Sequence, residues 1–205
     1  MSLSNNEINE MYLDVLKELG NIGTGNAVSA LAMMIGRKIN MKVPVVKMVK
    51  LQEVPEILGG AEIPVVGILL NVEGDIEGFI MFVMSQASAH LLVNMLVGTT
   101  LNGYSEFTDI EKSALMEIGN ILAGAYLTAL SSLTGFKMIQ SVPQLAEDMA
   151  GAILSFPAIQ FGETGDTALY IETEIFEESS RIVADFFLIP TIESYQKMLK
   201  ALGVA

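Results

Sequence analysis

The spacing of apolar and polar residues predicts two long helices, one near the start of each half of the chain. Both patterns recur with the helical period and run for about 25 to 30 residues. Each begins with the Ser/Thr-x-x-Glu spacing of a capping box and ends at a glycine suited to the left-handed position after a helix. The boxes are Ser4/Glu7 and Thr108/Glu111, and the closing glycines are Gly36 and Gly135.

Shorter segments with strand character follow each predicted helix. In the first half the predicted strands are Met41–Leu51, Ile63–Val72 and Phe79–Met84, with a turn at 74–78 and a short helix at Ala87–Val97. In the second half we predict a strand beginning at Val142, a helix at Ala146–Leu154, strands at Thr167–Ile175 and Ile182–Ile189 around a turn at 176–180, and a helix at Ile192–Leu202. This order predicts an α+β fold in which helices pack against one antiparallel β-sheet.

The chain contains an internal repeat with an offset of 99 residues. The 31 residues from Asp14 align without a gap to the 31 residues from Ser113, and twelve positions are identical. A repeat of this kind indicates a duplicated unit. We therefore predict two halves, about 1–104 and 105–205. No low-complexity linker separates them, so we expect a single domain with a shared core.

A stripe of polar residues follows one face of the first predicted helix. At 100° per residue, Asp14, Glu18, Asn21 and Gly25 lie within about 60° of one another. A solvated helix face carries glutamate and asparagine at such spacing, so a single copy of the stripe has an ordinary structural explanation. A glycine on the same face would also let another molecule approach the helix closely.

The second helix repeats the stripe with Ser113, Glu117, Asn120 and Gly124. Solvent-exposed faces change easily, yet Glu, Asn and Gly recur here while most neighbouring positions differ. The repetition therefore favours a functional stripe over a merely solvated one.

Glutamate and asparagine suggest chemistry shared with a partner. The chain has no cysteine and a single histidine, which lies far from the stripe in sequence, so a self-contained nucleophile or a metal site is not expected. An asparagine amide can hold a water molecule through its donor and acceptor and aim it at a phosphoryl group. A glutamate would repel that group, so it suits an anchor for a partner's lysine, with the metal and the phosphoryl group in the partner.

The composition excludes several other classes of protein. Eleven basic and 24 acidic residues give a net charge of −13 and leave no basic stripe for nucleic acid. A hydrophobic fraction of 51% excludes a disordered chain. The uncharged stretches Leu19–Gly36 and Ile118–Phe136 contain polar residues and are expected to be buried helices instead of membrane spans. We expect a cytoplasmic protein, since the first thirty residues show no secretory leader.

The repeated motif resembles the signature of a known family. The spacing Asp/Ser-x3-Glu-x2-Asn-x22-Pro occurs as Asp14, Glu18, Asn21, Pro44 and again as Ser113, Glu117, Asn120, Pro143. Together with the blocks KELGNIGTGNA, MEIGNILAG and GDIEG, it is similar to the CheC/CheX/FliY phosphatases of bacterial and archaeal chemotaxis. The length and the two intact motifs resemble the CheC type. CheX-type members are shorter with one active motif, and FliY-type members add a flagellar domain.

The resemblance implies a fold, an activity and partners. The fold would have pseudo-twofold symmetry with the two motif helices side by side on a shared sheet. The activity would be hydrolysis of the aspartyl phosphate of the response regulator CheY. Glu18 and Glu117 would contact the regulator's lysine, and Asn21 and Asn120 would orient the attacking water. The regulator would bring Mg²⁺, and the protein would need no cofactor of its own. Asp14, Ser113, Pro44 and Pro143 would support the site.

Two other functions are compatible with the same resemblance. The related flagellar switch protein FliM keeps the fold as a non-catalytic assembly module. CheC-like proteins also commonly bind CheD, a receptor deamidase, so the chain could act chiefly through that partner. Loss of Glu or Asn from both stripes would favour a scaffold, and neither residue is lost.

Residues outside the motif have structural explanations. His90, the single histidine, is expected to be structural or on the surface. The methionines, among them Met33, Met34 and Met149, are expected to fill the core. Four glutamates are expected to form a solvated strand face and turn: Glu172, Glu174, Glu177 and Glu178.

Overall fold

A computed structural model describes residues 5–98, 106–161, 167–177 and 180–203 of the chain. The predicted cap residue Ser4, the proposed boundary between the halves near residue 104 and part of the predicted turn at 176–180 lie outside these ranges. The helices are α1 (Asn5–Ile35), α2 (Val54–Ile57), α3 (Gln86–Val97), α4 (Asp109–Thr134), α5 (Ala150–Phe161) and α6 (Ile192–Ala201).

Seven antiparallel strands form one sheet in the described part of the chain. They are β1 (Asn40–Lys50), β2 (Pro64–Gly74), β3 (Gly78–Ser85), β4 (Met138–Gln140), β5 (Gln144–Met149), β6 (Thr167–Glu177) and β7 (Ser180–Pro190). Their order across the sheet is β1-β6-β7-β3-β2-β4, and β5 pairs with the other end of β2. The predicted α+β class is confirmed.

The strand order shows the pseudo-twofold symmetry. The halves meet where β3 pairs with β7, and outward from there β2 corresponds to β6. At the two edges β1 pairs with β6 of the other half, and β4 and β5 pair with β2 of the other half. Each half therefore supplies an edge strand to its partner half, and one apolar core contains residues from both.

The helix ends follow from local sequence. Thr108 and Glu111 form the predicted capping box, in which the Glu111 carboxylate accepts from the Thr108 backbone N–H at 2.7 Å. Gly36 and Gly135 adopt φ of 69° and 75°, the left-handed conformation that glycine tolerates without cost. Both backbone N–H groups close the last helical turn, on Ala32 and Ser131.

Three glycines bring the long helices close to their neighbours. A Cβ on Gly20 of α1 would meet Val46 of β1 at 3.0 Å, and one on Gly119 of α4 would meet Ile68 of β2 at 2.6 Å. These two glycines are equivalent in the repeat and both lie against the sheet, although Gly20 faces the edge strand β1 and Gly119 the inner strand β2. A Cβ on Gly23 would lie 2.3 Å from the Tyr126 ring, so the two helices pack side by side.

The two motif prolines interrupt the edge strands. The pairing of β1 with β6 shifts register between Lys42 and Val45, at the position of Pro44. In the second half the chain leaves the ladder between β4 and β5, where Pro143 lies. Proline has no N–H to give to a ladder, and this restricts it to strand edges and bulges.

The structure corrects several sequence predictions. Residues 144–149 form strand β5, so the predicted helix at Ala146–Leu154 begins only at Ala150. Val142 lies between two strands instead of starting one, and α2 and β4 had not been predicted. The free edge of β2 offers backbone donors and acceptors to β5, and this pairing overrides the local helical pattern.

Two expectations about side-chain environment are also wrong. Met33, Met34 and Met149 are exposed instead of filling the core, although the expectation holds for the buried Met81, Met84, Met95 and Met198. Glu174 pairs with Arg181 and its side chain is only 12% exposed, so it is not a solvated residue. His90 is buried and stacks on Phe107 with ring centroids 4.1 Å apart, in agreement with a structural role.

Candidate functional site

The first stripe lies on the outer face of α1. Asp14, Glu18, Asn21 and Gly25 are all exposed. The Asp14 carboxylate lies 3.5 Å from the Lys17 ammonium, one turn along the same helix. Nothing lies within 4 Å of a Cβ placed on Gly25. The stripe is therefore open to a partner along its full length.

An open groove runs between this stripe and strand β1. We call it the first groove, and its lining is Asn21, Thr24, Gly25, Val28, Met41, Lys42 and Val43. Lys42 borders the groove, and its ammonium lies over the Phe176 ring, 5.3 Å from the centroid. Among the described residues, the Asn21 amide forms no hydrogen bond with the protein, so both its donor and its acceptor face solvent.

The second stripe lies on α4 and is less exposed. Ser113 and Glu117 are exposed, whereas Asn120 and Gly124 are half-buried. The Ser113 hydroxyl donates to the Asp109 carbonyl at 2.8 Å, within its own helix. The two first-position residues of the motif thus make different local contacts, an ion pair in one copy and a backbone hydrogen bond in the other.

Gln140 of β4 holds the motif asparagine of the second copy. Its Nε2 donates to Asn120 Oδ1 at 2.6 Å and to the Asn120 backbone carbonyl at 2.9 Å. The same glutamine borders a second groove, lined by Gly124, Leu127, Thr128, Ser131, Ser132, Met138 and Gln140. The second groove corresponds to the first, since each lies between a motif helix and its edge strand.

Sequence reasoning did not single out Gln140. In the repeat alignment Gln140 is equivalent to Met41. The second copy therefore has an amide at this position where the first has a thioether. A polar residue at a position where the other copy is apolar was the available signal. Its meaning depends on the helix and the strand meeting in space.

The described ranges, which omit residues 1–4, 99–105, 162–166, 178–179 and 204–205, contain no group of three or more His, Asp or Glu side chains that could hold a metal ion. The roles of Glu18, Asn21, Glu117 and Asn120 in chemistry stay predictions, as do the supporting roles of Asp14, Ser113, Pro44 and Pro143. The structure does place each of the two Glu/Asn pairs on one helix face beside a groove.

One described helix, Asp109–Thr134, is long and apolar enough to cross a membrane by length and composition alone. Its most apolar window is 56% buried inside the protein, and the helix packs on β2 through Gly119. Core helices of proteins without a membrane span pass the same test, so this is weak evidence for a span.

Comparison with known proteins agrees with the fold and the repeat. The CheC-like family matches residues 11–48 and 110–147, two segments separated by the same 99 residues as the internal repeat. The chain is 38% identical over 204 residues to the CheY-P phosphatase CheC of Bacillus subtilis (strain 168), covering 98% of each chain.

Solved structures share the architecture. The crystal structure of Thermotoga maritima FliY matches with a TM-score of 0.71 at 24% identity, over 99% of this chain and 98% of that one. The FliM middle domain from H. pylori matches with a TM-score of 0.64 at 13% identity, over 97% and 99%. The duplicated motif helices, the sheet order and the full-length identity to a CheC protein lead to one conclusion: the chain belongs to the CheC-like family.

Proposed function

We propose that this protein is a phosphatase that hydrolyses the aspartyl phosphate of the chemotaxis response regulator CheY. The observation that carries the proposal is the 38% identity, over 98% of both chains, to a protein named CheY-P phosphatase CheC. The two accessible Glu/Asn stripes agree with it, since a site that acts on another folded protein must be within that protein's reach.

The proposed reaction places one Glu/Asn pair against the regulator. Glu18 or Glu117 binds a lysine of the partner, and the charge-assisted contact aligns the two proteins. Asn21 or Asn120 then holds a water molecule in line with the phosphoryl group. The water oxygen bonds to phosphorus as the bond to the aspartyl oxygen breaks, releasing inorganic phosphate and a free aspartate. The regulator supplies Mg²⁺, which neutralises phosphoryl charge when bound there.

A non-catalytic assembly role is the second candidate, because the FliM middle domain has the same fold. Retention of Glu and Asn in both stripes favours the enzyme, since a scaffold needs neither residue at these positions. CheD stays a proposed second partner, and the cytoplasm is the proposed location.

The test is a dephosphorylation assay with purified phospho-CheY and Mg²⁺. We expect the protein to accelerate loss of phosphate and expect Asn21→Ala and Asn120→Ala each to weaken it. The double variant should lose about a hundredfold, the scale of removing a group that stabilises or aligns the transition state. Gln196→Ala, an exposed amide on α6, is the matched control and should change nothing.

Circular dichroism should show that the double variant keeps its fold, because the Asn21 side chain is exposed and that of Asn120 half-buried. A folded double variant with full activity would show that the stripes are not the site. A wild-type protein that leaves phospho-CheY unchanged would instead favour the assembly role.

A further inference from the structure

The two motif asparagines differ in how firmly they are held. Gln140 donates two hydrogen bonds to Asn120, one to its side-chain oxygen and one to its backbone carbonyl. The same Nε2 donates both hydrogen bonds. The glutamine amide therefore links the Asn120 side chain to the backbone of α4. The bond to Oδ1 favours one orientation of the Asn120 amide, and the bond to the backbone carbonyl holds the glutamine in place.

The backbone on both sides of the Gln140 side chain is hydrogen-bonded to β2. It pairs with Val72 of β2. The next residue, Ser141, exchanges two hydrogen bonds of 2.9 Å with the Asn71 backbone, one from its N–H and one to its hydroxyl. The glutamine side chain therefore extends from a backbone that is fixed on both sides.

The first copy lacks this arrangement. Met41 occupies the position equivalent to Gln140, and a thioether cannot donate a hydrogen bond. Within the described ranges the exposed Asn21 amide has no protein partner, so its side chain keeps its rotamer freedom. Ordering such a side chain when a complex forms costs conformational entropy.

We propose that Gln140 is a positioning residue that pre-orients Asn120 for water alignment and makes the second copy the faster of the two. The inference rests on the proposed phosphatase activity. Gln140 occupies one lone pair of Asn120 Oδ1. The other lone pair and both Nδ2 hydrogens stay available, which is the combination that accepts from and donates to a water molecule.

The test compares single-site proteins. Asn21→Ala leaves only the second copy and Asn120→Ala only the first, and each is assayed on phospho-CheY. We expect kcat of the Asn21→Ala protein to be about three- to tenfold higher than that of the Asn120→Ala protein. This is the range that one net hydrogen bond supplies. Adding Gln140→Met to Asn21→Ala should remove most of that advantage while KM stays constant, because Glu117 still anchors the partner.

Two further variants separate positioning from stability. Gln140→Glu keeps the size of the side chain but replaces the donating nitrogen with an oxygen, so it should lower kcat as Gln140→Met does. Gln144→Met makes the same chemical change at an exposed glutamine of β5 and should leave kcat unchanged.

An unchanged kcat after Gln140→Met and Gln140→Glu, or a rise in KM alone, would overturn the positioning role. A faster first copy would overturn it as well. Absence of activity in both single-site proteins and in the wild type would instead contradict the proposed phosphatase function.

Discussion

The two copies of the motif share their helices and differ in the strands beside them. In the first copy α1 faces β1, an eleven-residue strand with a shift in register at Pro44, and Asn21 is exposed and unpaired among the described residues. In the second copy α4 faces β4 and β5, which separate at Pro143, and Asn120 is bonded to Gln140. The comparison shows that a duplicated stripe can keep its Glu, Asn and Gly residues while the strand beside it changes.

The glycines of the two helices fall into two pairs, one that packs against the sheet and one that lies on the accessible outer face. Gly20 and Gly119 are equivalent and both lie against the sheet. Gly25 and Gly124 are also equivalent, but a Cβ on Gly25 would meet nothing and one on Gly124 would make ordinary contacts of 3.7 Å with Gln140. The first pair sets the distance between helix and sheet, and the second pair keeps the outer face open beside each motif asparagine.

Charge reversal at both motif glutamates is expected to weaken the interaction with the partner strongly. In the variant Glu18→Lys/Glu117→Lys a lysine of the partner would face lysines, and like charges in contact cost several kcal/mol. We expect kcat/KM on phospho-CheY to fall about 10- to 100-fold, mainly through KM. Glu62→Lys changes the same charge at an exposed residue outside both stripes and is the control.

The corresponding single variants measure each copy separately. If the second copy is faster, Glu117→Lys should lower activity more than Glu18→Lys. Equal losses would show that the two copies contribute equally.

Adding a methyl group at the two types of glycine should affect stability in opposite directions. Gly119→Ala puts a Cβ 2.6 Å from the buried Ile68 side chain, and overpacking of this kind destabilises by about 1–3 kcal/mol. Gly25→Ala meets nothing and gains helix propensity, so it should be neutral or stabilise by up to about 1 kcal/mol. Urea unfolding followed by circular dichroism measures both.

Loss of stability in Gly25→Ala, or none in Gly119→Ala, would contradict this division of the glycines. A stable Gly25→Ala protein with reduced activity would support close approach of the partner at that position.

The halves also differ where they meet, because Asp185 of β7 lies opposite Val83 of β3. Burial raises the pKa of Asp185 to about 6, the nearby Glu172 charge adds to the shift, and a hydrogen bond from the Tyr170 hydroxyl at 2.8 Å opposes it. The folded protein thus binds this proton more tightly than the unfolded chain does. The contribution of Asp185 to the free energy of unfolding therefore falls as the pH rises from about 4 to about 6.

Asp185→Asn removes that penalty while its amide oxygen can still accept from Tyr170. We expect the variant to be more stable than the wild type at pH 7.5. Its advantage should be about 1 kcal/mol smaller at pH 5, where the folded protein keeps the proton. Urea unfolding at the two pH values checks this, and an advantage independent of pH would show that Asp185 does not titrate in this window. Glu172→Gln removes the charge that adds to the pKa shift of Asp185. It should also be more stable than the wild type at pH 7.5, by less than Asp185→Asn is.

Much of the fold was predictable because its signals are local. The Thr108 capping box, the left-handed glycines and the two long helices follow from short-range sequence patterns, and the structure confirms them. The helix predicted at Ala146–Leu154 was wrong in its first half because a neighbouring strand edge was available to pair with it. The exposed methionines likewise could not be foreseen, since burial depends on what the rest of the chain covers.

The sequence by itself determined the duplication, the class of fold and the Glu/Asn stripes. The stripes follow from spacing along one helix, the duplication from an offset along the chain, and the fold class from the order of locally predicted helices and strands. Only the tertiary structure decided that Gln140 binds Asn120 while Met41 leaves Asn21 free of a donor at that position. These residues are about twenty positions apart and belong to a helix and an edge strand. Their contact exists because Gly119 lets that helix approach the sheet, a relation that no local pattern contains.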